Sequence, residues 1–280
     1  MIRNNLFKYL SFCVAMCFYF CSTNSVLAQS YGTVEGDSIN SRLYLTMGYY
    51  TPKLNTSIKI NGKFGPGAEI GLEDLGLEES KSVFKLDGIL RVSPKSQVAL
   101  TYMSINRNSS ATLEKDITVG DTIFYQGSGI GLKFNIDYFA ATWRYSFFNE
   151  KNWNAGVSVG GRAVSIDAGL EAKLNADSYA VNKSVLAPAI LFGIHGSAYL
   201  TPKLLARYSL EYFYLSVDGL DINVIESNAS VQYFFLKKFG AGLAYSTNDY
   251  QVNDIPLNSD FNGKVDFNFG GFNIFLSARL

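Results

Sequence analysis

Ser184–Pro202 reads SVLAPAILFGIHGSAYLTP and contains no charged residue. As a helix it is poor. Pro188, Gly193, Gly196 and Ser197 interrupt it, and a spanning helix needs roughly 20 predominantly apolar residues. Read at period two, it sorts cleanly. Pro188, Ile190, Phe192, Ile194, Ala198 and Leu200 fall on one face, and Gly193, His195, Ser197 and Tyr199 on the other. Alternation of this kind marks a β-strand with one apolar and one polar side.

The same sorting recurs in both directions. Leu43, Leu45, Met47 and Tyr49 oppose Arg42, Tyr44 and Thr46; Phe84, Leu86 and Leu90 oppose Lys85, Asp87 and Arg91. Trp143 and Tyr145 oppose Arg144, Val157 and Val159 oppose Ser158 and Arg162, and Tyr208, Leu210 and Tyr212 oppose Arg207 and Glu211. Ala229, Val231 and Tyr233 oppose Glu226, Asn228 and Gln232, and Ile274, Leu276 and Leu280 oppose Ser277 and Arg279. Many runs reach ten residues or more, the length that crosses a bilayer at a tilt, whereas soluble strands average roughly 5–6. Short polar turns at 93–96, 149–152, 201–203 and 237–238 alternate with longer polar segments near 52–80, 108–126, 174–184, 216–222 and 252–262. Aromatic residues crowd the short turns, where an interfacial girdle belongs.

These features predict an all-β fold: a transmembrane antiparallel up-and-down β-barrel of about ten strands, with a range of 8–12. The strands are expected at 40–51, 81–94, 96–110, 127–148, 153–173, 184–201, 204–217, 221–236, 239–252 and 263–280, with Ser57–Leu72 as a possible extra hairpin. An even strand number puts both mature termini on the periplasmic side. Phe134 and Ile136 have the opposite parity to Phe139 and Ala141. That predicts either a bulge near Asp137 or an exit from the membrane there.

Composition agrees. Aromatics are 15% and charged residues 17%, below the roughly 25% of a soluble domain, with Lys+Arg 24 against Asp+Glu 24. This balance leaves no electrostatic footprint for nucleic acid. Cys13, Cys17 and Cys21 all lie in residues 1–28, which read as a signal peptide: Arg3 and Lys8, an apolar stretch from Leu10 to Cys21, then Val26-Leu27-Ala28 before the cleavage point. A short periplasmic segment, 29–39, precedes the barrel domain, 40–280. The mature chain is then free of cysteine.

The polar strand face would line the lumen: Arg42, Lys85, Asp87, Arg91, Arg144, Arg162, His195, Arg207, Glu211, Glu226, Asn228, Gln232 and Arg279. Roughly eight strands leave room only for side chains, so ten give either a packed polar core, in which arginines pair with Asp87, Glu211 and Glu226, or a narrow pore whose excess arginine favours anionic or zwitterionic solutes. His195 has no Ser or acid partner near the outer rim and is expected to be a hydrogen-bonding lumen residue, with no catalytic group elsewhere. Glu69, Glu73, Asp74, Glu78 and Glu79 form an acidic outer loop whose spacing fits no Ca²⁺ loop. It reads as solvated, with no metal and no cofactor. Gly127, Gly129 and Gly131 lack the Lys-Ser/Thr and helix of a phosphate loop and read as a strand start.

Tyr49-Tyr50, Glu73-Asp74-Leu75-Gly76-Leu77, Phe84-Lys85-Leu86-Asp87-Gly88, Tyr145-Ser146-Phe147 and Glu211-Tyr212-Phe213-Tyr214-Leu215 resemble small outer-membrane β-barrel proteins of Gram-negative bacteria, of the porin-like or surface-antigen kind. The resemblance implies fold and cell-outer-membrane location and carries no activity. Its partners would be outer-membrane lipid and lipopolysaccharide, and the barrel-insertion machinery through the C-terminal strand. The expected function is a narrow porin-like channel or a structural surface protein. The alternatives are an adhesin or surface antigen in contact with a host, or a barrel enzyme acting on lipid or peptide.

Overall fold

A computed structural model describes residues 41–61, 69–112, 116–119, 122–174, 177–217, 220–258 and 261–280. The signal peptide and the 29–39 segment lie outside the described residues. Thirteen strands are present among them. In chain order they are β1 (Leu43–Asn61), β2 (Glu69–Gly71), β3 (Val83–Arg91), β4 (Ser96–Thr112), β5 (Ile117–Val119), β6 (Thr122–Phe124), β7 (Gly129–Asn149) and β8 (Trp153–Leu174). Then follow β9 (Asp177–Thr201), β10 (Leu204–Val217), β11 (Leu220–Tyr233), β12 (Phe239–Asn258) and β13 (Phe261–Arg279). All except β2, β5 and β6 form one antiparallel sheet in the order β13-β12-β11-β10-β9-β8-β7-β4-β3-β1, closed by β13 on β1. The result is a closed ten-stranded barrel. Closure ends in reciprocal bonds, Leu43 N to Leu280 O at 3.0 Å and Leu280 N to Leu43 O at 2.8 Å. The terminal end of the barrel holds both these residues and the short turns. The other end is the loop end.

The strands are longer than a bilayer requires. β7, β8 and β9 have 21, 22 and 25 residues, against roughly 9–11 for crossing a membrane. The segments expected as loops at 174–184 and 252–262 are therefore largely strand, and β1 runs to Asn61 instead of stopping at Thr51.

The extra length has a different polarity. On β13 the outward residues nearest the terminal end are Phe272, Ile274, Leu276 and Leu280, all more than half exposed, while Asn273, Ser277 and Arg279 are buried inside. Farther along the same strand the outward residues are Lys264, Asp266 and Asn268, and the inward ones are Phe267 and Phe269. Lys264 and Asp266 pair at 2.5 Å, a bond that raises the lysine pKa. β7 repeats the pattern. Trp143 points out and Thr142 in, but beyond Asp137 the inward positions are Ile136, Phe134, Leu132 and Ile130, with Lys133 and Asn135 outside. Ser104, Asp137 and Ser165 lie side by side at the switch.

The register of β7 with β8 is unbroken through Asp137, so the expected bulge is not there; the shift falls at Phe147, between Ser146 and Phe148. The parity change records an exchange of polarity between faces, with no change in strand phase. From Phe272 to Leu280 the outward apolar run is about 27 Å along the strand, or about 20 Å along the axis at a tilt of about 40°. That matches the apolar band of a transmembrane barrel, roughly 25 Å tall. Aromatic groups mark its two edges: Phe148 stacked on Trp153 at 5.7 Å beside a terminal-end turn, and Tyr49 against Phe84 at 6.4 Å and Tyr245 against Phe272 at 5.0 Å at the switch.

Two sectors of the wall are irregular near the loop end. β3 is short, so the upper halves of β1 and β4 are not bridged by it. Residues 69–80 fill the gap. β2 pairs with β1 (Ser57↔Gly71), as the possible 57–72 hairpin anticipated, without adding a barrel strand. Leu72 and Leu77 are buried in the upper core. The second sector lies between β9 and β10, whose ladder ends at Tyr212↔Phe192 while β9 continues with β8 to Asp177. Pro188 sits in this one-sided stretch, where its missing N–H costs no ladder bond.

Candidate functional site

The inward face divides into three levels. The upper level is an apolar core of Tyr50, Leu54, Met103, Ile105, Ile130, Leu132, Phe134, Ile136, Val164, Phe267 and Phe269, closed on one side by Leu72 and Leu77. One cation enters it. Arg107 is fully buried, donates to Glu73 at 2.6 Å and to Thr56 Oγ1 at 2.7 Å, and lies 5.1 Å from the Phe134 ring. Thr56 N donates to the other Glu73 oxygen at 2.9 Å. Glu73 therefore staples the 69–80 segment to β1 and β4, which corrects its reading as a solvated loop residue. Burial is tolerable because the charge is paired and both terminal nitrogens are hydrogen-bonded, although Nε has no partner among the described residues. The other acidic residues stay at the surface: Glu69 accepts from Ser57 (2.8 Å), Glu78 pairs with Lys81 (3.2 Å) and Glu79 with Lys53 (3.8 Å), and Asp74 is exposed. No group of three or more His, Cys, Asp or Glu among the described residues is arranged to hold a metal.

The middle level is a charged network that crosses the barrel. Arg162 on β8 donates through Nε to Glu226 on β11 at 2.8 Å, through Nη2 to Glu211 on β10, and through Nη1 to Thr142 on β7 at 2.9 Å. Two carboxylates against one guanidinium leave acceptors to satisfy. Tyr138 (3.0 Å) and Tyr250 donate their hydroxyls to Glu226, and Ser158 donates to Glu211 at 3.0 Å. Gly193 lets Glu211 cross, since a Cβ there would lie 2.1 Å from Leu210 O and 2.7 Å from Glu211 Cγ.

The lower level is polar and cationic. Lys85 lies 3.8 Å from Asp87, which also accepts from Thr101 (2.7 Å) and Thr46 (3.4 Å). Asn228 donates to Ser246 at 2.6 Å, and Arg207 donates to Gln232 at 3.2 Å and stacks 4.2 Å over Tyr44. Arg91 donates to Pro94 O at 2.7 Å, and Arg279 to Lys237 O and to Tyr199 Oη, both at 2.6 Å. Arg144 lines a cavity of about 140 Å³ together with Lys85, Arg162 and Arg207. Tyr44, Leu205 and Phe234, with Tyr199, form a small apolar floor below it. Of the sequence-derived candidates, Arg42 departs from expectation: it precedes β1 and is exposed at the rim. His195 Nε2 lies 3.2 Å from Ser146 Oγ, both groups buried. Nδ1 has no hydrogen-bond partner, so the pair lacks the orienting acid of a triad.

Sequence reading missed Arg107, Tyr138 and Tyr250; Thr142 and Ser158 fall on the polar strand face but were not singled out as lumen residues. A signal existed for Arg107: it is the one charge in phase with Met103 and Ile105. The tyrosines carried none, since a strand tyrosine reads equally well as girdle or core.

The chain matches no protein-family model and no curated protein sequence. Its fold is similar to solved outer-membrane barrels. The outer membrane protease OmpT of Escherichia coli superposes with a TM-score of 0.55 at 10% identity, over 85% of this chain and 97% of that one. The outer membrane protein OprG of Pseudomonas aeruginosa gives 0.41 at 12% identity, over 88% and 99%. The toluene transporter TodX of P. putida gives 0.35 at 8%, over 88% and 93%. At 10% identity the superposition on OmpT shows a likeness of architecture alone, that of an outer-membrane β-barrel.

Proposed function

We propose that this protein is a sealed barrel of the Gram-negative outer membrane. Its lower half sits in lipid and its upper half stands outside as a surface-exposed structural and contact body. The supporting observation is the exchange of polarity between faces. Outward side chains are apolar only up to the level of Thr51, Asp137 and Gly270, and the inward face becomes apolar above that level. A lipid-facing band cannot carry Lys133, Asp167, Lys264 and Asp266 outward without cost, and a water-filled pore gains nothing from Phe267 and Phe269 inside.

Both termini are then periplasmic, export uses residues 1–28, and the C-terminal strand meets the insertion machinery. Lipopolysaccharide surrounds the band on the outer side. The apolar core favours this sealed form over the narrow channel. No catalytic role is assigned, because the Ser146–His195 pair lies inside a closed wall.

Planar-bilayer recording tests the seal. Refolded protein, verified by heat-modifiable migration on a gel, is expected to give no discrete current steps, and reproducible steps would contradict the proposal. Whole-cell labelling tests the placement. With the leader removed, single cysteines at Asn268 and Ile274 are expected to react and to resist, respectively, a membrane-impermeant maleimide.

A further inference from the structure

We infer that the lower cavity is a binding site for a small oxyanion of the phosphate or carboxylate class. The motive is an imbalance of charge. The cavity is lined by four cations (Lys85, Arg144, Arg162, Arg207) and three carboxylates (Asp87, Glu211, Glu226). The carboxylates are already engaged: Glu211 and Glu226 by Arg162, Asp87 by Lys85 and two threonines. Neither Arg144 nor Arg207 forms an ion pair among the described residues, and Arg144 Nε is buried with no hydrogen-bond partner.

Arg144 lies within electrostatic reach of Glu211 and Asp87 but also of Arg207 and Arg162, and Arg207 in turn lies within reach of Arg91. Like charges gathered in a low-dielectric enclosure repel, and the structure that holds them is stable only with water or a counter-ion between them. Both arginines line the cavity of about 140 Å³. This is about ten times the ~10–15 Å³ that one water needs, enough for an oxyanion with part of its hydration. The guanidinium fork matches two oxygens of such an anion. A lipid headgroup is a poorer source than a free anion, because Arg144 and Arg207 are each paired on both sides, with Gln97 and Ser158 and with Ser197 and Ser230, so the wall has no gap at either.

The test uses the refolded barrel in a zwitterionic detergent, with inorganic phosphate as the probe and chloride at matched ionic strength as the control. Phosphate is expected to raise the urea midpoint of the wild type above the chloride value, since a ligand bound to the native state stabilises it by mass action. Arg144→Gln and Arg207→Gln should each weaken the apparent affinity about tenfold or more, and Arg42→Gln, at the exposed rim, should leave it unchanged. Equal midpoints in phosphate and chloride would overturn the site, as would a phosphate effect undiminished in both inner variants. If either variant fails to refold, phosphorus NMR on the wild type decides. A bound resonance supports the site, and its absence at saturating phosphate overturns it. Anionic lipid added in place of phosphate should give no comparable shift; an equal shift would overturn the free-anion assignment.

Discussion

The two halves of the barrel share strands, register and closure, yet they are built for opposite solvents. In the lower half Ile274 and Leu276 face outward while Asn273 and Ser277 are buried; in the upper half of the same strand Asn268 faces outward while Phe267 and Phe269 are buried. Period-two alternation therefore says that a segment is a strand, but not which face meets which medium. The lower half follows the rule of a lipid-facing barrel, apolar out and polar in. The upper half follows the rule of a soluble barrel, with its apolar side chains withdrawn from water. The central network of Arg162, Glu211 and Glu226 sits where the two regimes meet.

The largest expected effect comes from breaking that junction. Arg162→Ala leaves Glu211 and Glu226 buried without their cation, a loss of about 3–5 kcal/mol, to be read as a lowered urea midpoint in micelles. Removing upper-core volume comes next. Phe269→Ala should cost about 3–4 kcal/mol through lost burial and an unfilled cavity, and an unchanged midpoint would mean the upper interior is wet.

The sharpest contrast between the halves is a paired substitution on the outer face of β13. Ile274→Arg should destabilise the inserted barrel by about 2–4 kcal/mol, whereas Asn268→Arg, on the same face six residues away, should stay within about 0.5 kcal/mol. Equal effects would erase the distinction between the halves. Cutting the staple, Glu73→Gln, should cost about 1.5–3 kcal/mol and speed amide exchange at Leu54 and Leu72, whose N–H groups bond Glu79 O and Thr56 O. The smallest effect is expected from Lys53→Ala, which removes an exposed pair with Glu79 worth at most about 1 kcal/mol.

The fold was largely legible in the sequence, and the failures have one cause. The lower-half strands announce themselves because lipid demands an apolar outer face. The upper-half strands were read as polar loops near 52–80, 174–184 and 252–262 because a strand such as β1 beyond Tyr50, with Thr51, Lys53 and Asn55 outward and Leu54 inward, has the composition of a loop. The parity change at Asp137 was detectable, and exit from the membrane was one of its two readings; the bulge was the wrong one, because bulges shift phase while a change of solvent exchanges faces. Arg162, Glu211 and Glu226 were recognised as inward, and pairing of lumen arginines with Glu211 and Glu226 was one of the two expectations. Which arginine takes both carboxylates was not legible, because β8, β10 and β11 are brought together by barrel curvature, which no local pattern encodes. Glu73 looked like its acidic neighbours in sequence and differs only in having Arg107 opposite it.

The most direct test of the change of solvent is a depth profile along β13. Spin labels placed one at a time at the outward positions 264, 266, 268, 272, 274 and 276 of the barrel in lipid vesicles would be compared for collision with oxygen and with a water-soluble nickel chelate. The account predicts oxygen-dominated collisions at 272, 274 and 276, and chelate-dominated collisions at 264, 266 and 268, with the crossover at Gly270. A single regime along the whole strand, or a crossover at either end of it, would contradict the account.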